Sequence, residues 1–376
     1  MSFRILFSRC LSEINKGVEI VKGKIRILSF LLIAMLVASV AIGCGASTKP
    51  EQKQQSSASG EQTQTSTQGT MKIALLLPGS ISDGGWNASA YEGLMKLKDK
   101  GYEVAFTENI PVPNIEETFR NYAEKGFTLI IGHGFEFGEP ALRVAPQFPN
   151  TKFFVSGKMP PNAQLEPNIG FIDQKEFEGA YLAGALAGLM TKSNKIGYVG
   201  GLEIPPQLAN LAAFTKGTQA VNPKAKVLGV ITGTFEDPAK GKEAATAQID
   251  NGADIICQTA DSTGMGAIEA AKSKGVYVIG YGGDQYKLAP DLMLTSIIDN
   301  IPKAIEMQVD LIKKGKFGGL WKAGIADGVV DIAPYHNLDS KIPADVKQKI
   351  SQMRQDIIDG KLQVPEIYER VDSKLK

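Results

Sequence analysis

From residue 71 onward, short runs of aliphatic and β-branched residues alternate with longer amphipathic stretches. That alternation is the pattern of parallel sheets covered by helices. Candidate strands fall at 72–77, 103–106, 128–132, 152–156, 195–199, 226–231, 254–258, 276–280 and 293–298. Most are apolar without interruption, so both faces of each sheet must be covered. Four helix-to-strand junctions repeat one device, with Gly101, Gly126, Gly252 and Gly275 each standing just before a strand. Glycine there takes the left-handed conformation that ends a helix, and Lys100, Lys125 and Lys274 ahead of it suit the negative helix end. Asn114 with Glu117, and Asp237 with Pro238, read as helix starts. Two junctions precede residue 150 and two follow residue 245, which predicts two similar βαβ lobes, each a parallel sheet flanked by helices. An Ala-, Gly- and Leu-rich helix over 177–190 opens the second lobe, its small residues allowing close approach to a sheet, and further helices cover 302–314 and 344–359. The expected boundaries are 71–175 plus about 299–325 for the first lobe and 176–298 plus about 326–376 for the second. Two lobes joined by several crossings can close on a ligand.

The chain of 376 residues is 43% hydrophobic and 22% charged, ample for such a body. The first 43 residues hold six Lys/Arg against two Asp/Glu, leaving 35 basic and 38 acidic side chains elsewhere. That near-neutral body carries no nucleic-acid footprint. The two histidines, His133 and His336, lie far apart, and Cys10, Cys44 and Cys257 never pair at close spacing, so no metal site is expected. Cys257 lies in an apolar run and reads as a buried strand residue. The sequence has no Walker loop, no Gly-x-Ser-x-Gly elbow and no His-Glu-x-x-His helix. Neither catalysis nor a cofactor is expected.

Residues 1–43 read as a secretory signal. Lys22, Lys24 and Arg26 precede an apolar stretch over 27–40, and small residues lead into Ala41-Ile42-Gly43-Cys44. The apolar core, roughly 14 residues, is short of the ~20 a spanning helix needs. The segment resembles a bacterial lipobox, with Ala41 where leucine is more usual. The resemblance implies that Cys44 is diacylated and anchors the protein at the extracytoplasmic face of the cell membrane. Initiation near Val18 or Val21 would give a conventional signal. Residues 45–70 lack any large apolar side chain and read as a tether with roughly 28 Å of reach.

Ligands of open α/β sheets bind at the carboxyl ends of the strands, so the residues just after each strand are the candidates. After the first strand come Ser82, Asp83, Trp86 and Asn87, a polar turn beside a flat indole, suited to a planar polar ligand. After the third, Phe135 and Phe137 flank Glu136, one aromatic facing the cleft and one packing. Lys158 follows the fourth strand, and Phe235 the strand over 226–231. Asp261 and Ser262 follow the strand over 254–258, where an N-cap is the competing role. Gly282 and Asp284 follow the strand over 276–280. The glycine lets backbone approach a ligand, and the carboxylate accepts from hydroxyls or ring nitrogens.

The segments Ser82-Asp83-Gly84-Gly85-Trp86-Asn87, Glu178-Gly179-Ala180-Tyr181-Leu182-Ala183-Gly184, Gly197-Tyr198-Val199-Gly200-Gly201 and Val221-Asn222-Pro223 resemble the basic membrane lipoprotein (Bmp) family. So do Phe235-Glu236-Asp237-Pro238-Ala239-Lys240-Gly241-Lys242-Glu243 and Gly275-Val276-Tyr277-Val278-Ile279-Gly280, and the likeness spans 71–335. It implies a type I periplasmic-binding-protein fold and a substrate-binding lipoprotein of an ABC importer, with permease and ATPase subunits as partners. Nucleoside-binding members stack the base between two aromatic rings and hold the ribose with acids. Trp86 matches the first ring, Asn87 the adjacent amide and Phe235 the second ring. Asp284 matches one acid of an Asp-x-Asp-Gln segment while Gly282 replaces the other. That departure tells against ribose recognition, and a likeness to a base-binding subgroup implies a purine base such as adenine ahead of a nucleoside as the ligand. A sugar-binding importer component and a ligand-sensing receptor domain are the alternatives.

Overall fold

The computed structural model describes residues 71–369. The expected signal, Cys44, the tether and residues 370–376 lie outside them. In chain order come β1 (Lys72–Leu76), α1 (Trp86–Asp99), β2 (Glu103–Thr107), α2 (Ile115–Glu124), β3 (Leu129–His133), α3 (Gly138–Val144), β4 (Lys152–Ser156) and β5 (Ile169–Gln174). Then follow α4 (Glu176–Met190), β6 (Lys195–Gly200), α5 (Pro205–Val221), β7 (Lys226–Ile231), α6 (Pro238–Asp250), β8 (Ile255–Thr259), α7 (Asp261–Lys274) and β9 (Tyr277–Gly282). The chain continues through β10 (Met293–Asp299), α8 (Ile301–Lys313), β11 (Gly319–Ala323), β12 (Val330–Ile332) and α9 (Ala344–Ile358).

The strands form two six-stranded sheets wound in the same order, β2-β1-β3-β4-β5-β11 and β7-β6-β8-β9-β10-β12. Pairing is parallel except for the antiparallel edge β10–β12. Ile73 stands opposite Val104 and Leu129, as Ile196 stands opposite Val227 and Ile255. In each lobe the chain leaves its first strand toward one edge and then returns to the other side. The resulting switch points, between β1 and β3 and between β6 and β8, are where open α/β sheets make their crevices. The first sheet draws on residues 72–174 and 319–323, the second on 195–299 and 330–332. The lobes are therefore joined by three crossings, after β5, after β10 and between β11 and β12.

Local chemistry sets these elements. Gly101, Gly126, Gly252 and Gly275 all have positive φ, between 69° and 93°. A side chain at Gly101 or Gly275 would meet no atom within 4 Å, so backbone angle rather than space demands glycine there. Asp237 caps α6 by accepting from the N–H groups of Ala239 (3.0 Å) and Lys240 (3.2 Å). Asn114 does not cap α2, because it already lies in a helical conformation at the end of a 3-10 turn, its side chain making no cap bond. The Ala- and Gly-rich α4 is buried on nearly all sides. Gly179 faces the second sheet, as expected, but Gly184 and Gly188 lie directly against the backbone of α5 at Phe214 and Thr218. The small residues thus serve a helix–helix contact as much as a sheet. Cys257 is fully buried in β8. Among the described residues no helix is long and apolar enough to cross a membrane.

Candidate functional site

The turn after β1 is built around Asp83, which is buried. Its carboxylate accepts from the backbone N–H groups of Gly85 (2.9 Å), Asn87 (2.7 Å) and Ala88 (3.0 Å) and from Asn87 Nδ2 (2.9 Å). A carboxylate that collects the free donors at a helix start fixes that start in place. Asp83 therefore positions Trp86 and Asn87 and is not itself among the residues bordering the cavity. Asn87 is held by its amide nitrogen, and its Oδ1 is buried with no hydrogen-bond partner. The Trp86 indole stacks on the His133 ring, with centroids 3.6 Å apart and planes 25° from parallel. His133 is fully buried, and burial pushes its pKa down to about 3. The ring is therefore neutral, and its Nε2–H donates to the Trp86 carbonyl (3.3 Å). It backs the indole and has no metal-binding or catalytic geometry.

Across the cleft, Phe235 packs over Gly201, and Asp261 opens α7 at a φ of +47°. Left-handed backbone at a non-glycine residue costs on the order of 1 kcal/mol and persists where the surroundings enforce it. The Asp261 carboxyl forms no hydrogen bond or ion pair among the described residues. Burial, and then the charges of Asp83, Glu236 and Glu176, push its pKa far above the usual carboxylate range. It is not an N-cap, since it is the first residue inside α7 and no side chain caps that helix start. At the floor, where two crossings meet, Glu176 accepts from Tyr281 OH (2.7 Å) and Asn210 Nδ2 (3.0 Å), while Gln174 Nε2 donates to Asp299. Burial raises both carboxyls, and the Glu176 charge raises Asp299 further, while a hydrogen bond with Asp299 partly offsets the rise at Glu176. A proton shared between them is the arrangement that burial of two acids side by side requires.

These walls enclose a cavity of about 440 Å³. Trp86, Asn87, Phe135, Lys158, Phe235 and Asp261 all border it. Ser82, Asp83, Ser262, Gly282 and Asp284 do not. Ser82 is exposed and bonds to Ser80 (2.8 Å). Ser262 lies in the first turn of α7, away from the cavity. Gly282 has φ +84°, and a Cβ there would fall 2.5 Å from the Trp86 backbone nitrogen, so its role is to let the second lobe touch the start of α1. Asp284 caps its own turn at the Tyr286 N–H (3.2 Å) and meets His336 Nε2 at 2.7 Å, outside the cleft. Lys158 is engaged by Glu366 (3.0 Å) and lies 4.1 Å from the Tyr368 ring centre. The last described residues thus reach the first lobe, where the sequence placed them with the second. Sequence reasoning missed Glu136, Asp173, Glu176, Glu236 and Tyr281, which all border the cavity. Glu136 and Glu236 stand beside aromatic residues already singled out, and that adjacency was the available signal.

A family model described as ABC transporter substrate-binding protein, PnrA-like (Bmp), matches residues 70–368. The purine-binding protein of Brucella abortus is 30% identical over 78% of this chain and 82% of its own length. The ABC transporter nucleoside-binding protein BmpA of Lactococcus lactis is 27% identical over 91% of this chain and 99% of its own. Among solved structures, an ABC transporter solute-binding protein from Conexibacter woesei aligns with a TM-score of 0.69 at 29% identity, covering 80% of this chain and all of that one.

Proposed function

The chain belongs to the Bmp family of ABC transporter substrate-binding proteins, and from that membership we propose that it captures a purine, base rather than nucleoside, and delivers it to a permease. The base stacks on Trp86, with Phe235 or Phe135 closing over its other face, and Asn87 and Asp261 supply hydrogen bonds. The observation that carries the reading is a flat indole backed by a neutral His133, with the unpartnered Asn87 Oδ1 beside it and the unpartnered Asp261 carboxyl across the cavity. An acceptor buried without a partner costs roughly 1–3 kcal/mol, which a ligand N–H recovers. A cavity of about 440 Å³ lies in the range of small-molecule sites. The names of the Brucella and Lactococcus relatives support a purine or nucleoside.

Calorimetry with adenine, adenosine and ribose, together with mass spectrometry of any small molecule that copurifies, tests the reading. Adenine is expected to bind with the highest affinity. Binding of ribose or another sugar, with none of either purine, overturns it. Anchoring at the extracytoplasmic face through lipidated Cys44 belongs to the same proposal. Cys44→Ser is expected to move the protein from the membrane fraction to the soluble one, and unchanged fractionation refutes the anchor.

A further inference from the structure

Glu136 lies in the 3-10 turn after β3, two residues beyond the Gly134 that ends the strand. It borders the same cavity as Trp86 and Asn87. Its carboxyl folds back over Gly134, where a Cβ would lie 2.5 Å from Oε2, so any larger residue would dislodge it. Among the described residues no side chain hydrogen-bonds to it and no cation pairs with it. The cation bordering the cavity, Lys158, is taken by Glu366. The other carboxyls there are Asp173 and Glu176 on the side of the first lobe and its crossing, Glu236 and Asp261 on the second, and Glu366, with the phenols of Tyr281 and Tyr368 at the wall and neutral His133 behind. Burial accordingly pushes the Glu136 carboxyl up to about 7, against a hydrogen bond from its own backbone N–H.

A carboxyl that keeps its proton presents one donor and one acceptor side by side, whereas an ionised one presents acceptors alone. Resting on the purine reading above, we infer that Glu136 is a specificity-determining residue, reading as a neutral acid the edge of the bound base where an amino N–H adjoins a ring nitrogen. The acid carbonyl accepts the amino N–H and the acid O–H donates to the ring nitrogen. No proton is transferred. Adenine offers such an edge. Guanine offers two adjacent donors, a ring N–H and an amino group, which suit the ionised carboxylate instead. Glu136 thus sets a preference among purines that moves with pH.

The test is calorimetry of adenine with the full chain and with Glu136→Gln between about pH 6 and about pH 8.5, a window in which adenine itself stays neutral. Adenine affinity of the unaltered protein is expected to fall roughly thirtyfold, tenfold per unit above the midpoint. The glutamine variant, which keeps one donor and one acceptor, is expected to stay within a few-fold of the acidic-side affinity throughout. Guanine affinity relative to adenine is expected to rise with pH in the unaltered protein only. Because the other cavity acids are present in both proteins, parallel pH profiles overturn the role of Glu136 while leaving the purine reading intact. Failure of every purine to bind at any pH overturns both.

Discussion

Replacing Trp86 by alanine is expected to weaken purine binding by about 1–3 kcal/mol, the order found for a base stacked on an aromatic side chain. The expectation rests on what holds the ring. Asp83 gathers three backbone donors and the Asn87 amide at the start of α1, so the indole leaves the backbone at a fixed point. Below it His133 is buried and uncharged, and Gly282 admits the second lobe within contact of the Trp86 backbone nitrogen. The ring is therefore ordered before ligand arrives, and stacking on it adds little ordering cost. Trp86→Phe retains a flat face of smaller area and is expected to fall between the two. Calorimetry beside a thermal melt separates loss of binding from loss of fold. Equal purine affinity for Trp86→Ala, with the fold intact, would remove the indole from the ligand contact.

The arrangement of the two lobes was written in features with a backbone cause. Four glycines at helix ends marked four junctions, and each has the positive φ that the sequence implied. Unbroken apolar runs marked the central strands because those strands are buried on both faces. The reading failed where such a cause was missing. β5 has Gly170 as its second residue and ends in Asp173-Gln174, so it resembled a loop, and with it went the strand end that leads to Asp173 and Glu176. α5 opens on two prolines and is buried along most of its length against α4, which erases the periodicity by which a half-exposed helix is recognised. Within the site, position after a strand was a sound guide to Trp86, Asn87, Phe235 and Asp261 as residues that border the cavity. It could not separate them from Gly282, which ends β9, and Asp284, which follows it just as closely. That difference arises from contact between the lobes, where Gly282 faces the start of α1 and Asp284 turns toward His336.

Without ligand, the protein is expected to be more stable at mildly acidic pH than at neutral pH, the reverse of ordinary acid denaturation over that window. Burial raises Glu136, Asp173, Glu176, Glu236, Asp261 and Asp299 together, and mutual repulsion adds to the shift at several of them. An acid whose folded pKa lies above its unfolded one binds more protons in the folded state between the two values. Its stabilisation is full below the unfolded pKa and is lost as pH rises through the folded one. For Glu136 that window runs from about 4.5 to about 7. A shift of that size corresponds to about 3 kcal/mol at most, and about 1–2 kcal/mol once partial solvation by the open cavity is allowed for. Exposed acids paired with basic neighbours, such as Glu116 and Glu269, act in the opposite sense at lower pH. Thermal melts of ligand-free protein across the window are expected to fall with rising pH, and Glu136→Gln or Asp261→Asn to raise the melting temperature at neutral pH. A ligand that donates N–H groups to these carboxyls should narrow the difference, because it replaces the missing partners. A melting temperature that climbs steadily from about pH 4.5 to about pH 7 would show that the cavity acids are solvated and charged. The cavity would then have no use for a neutral acid at its wall.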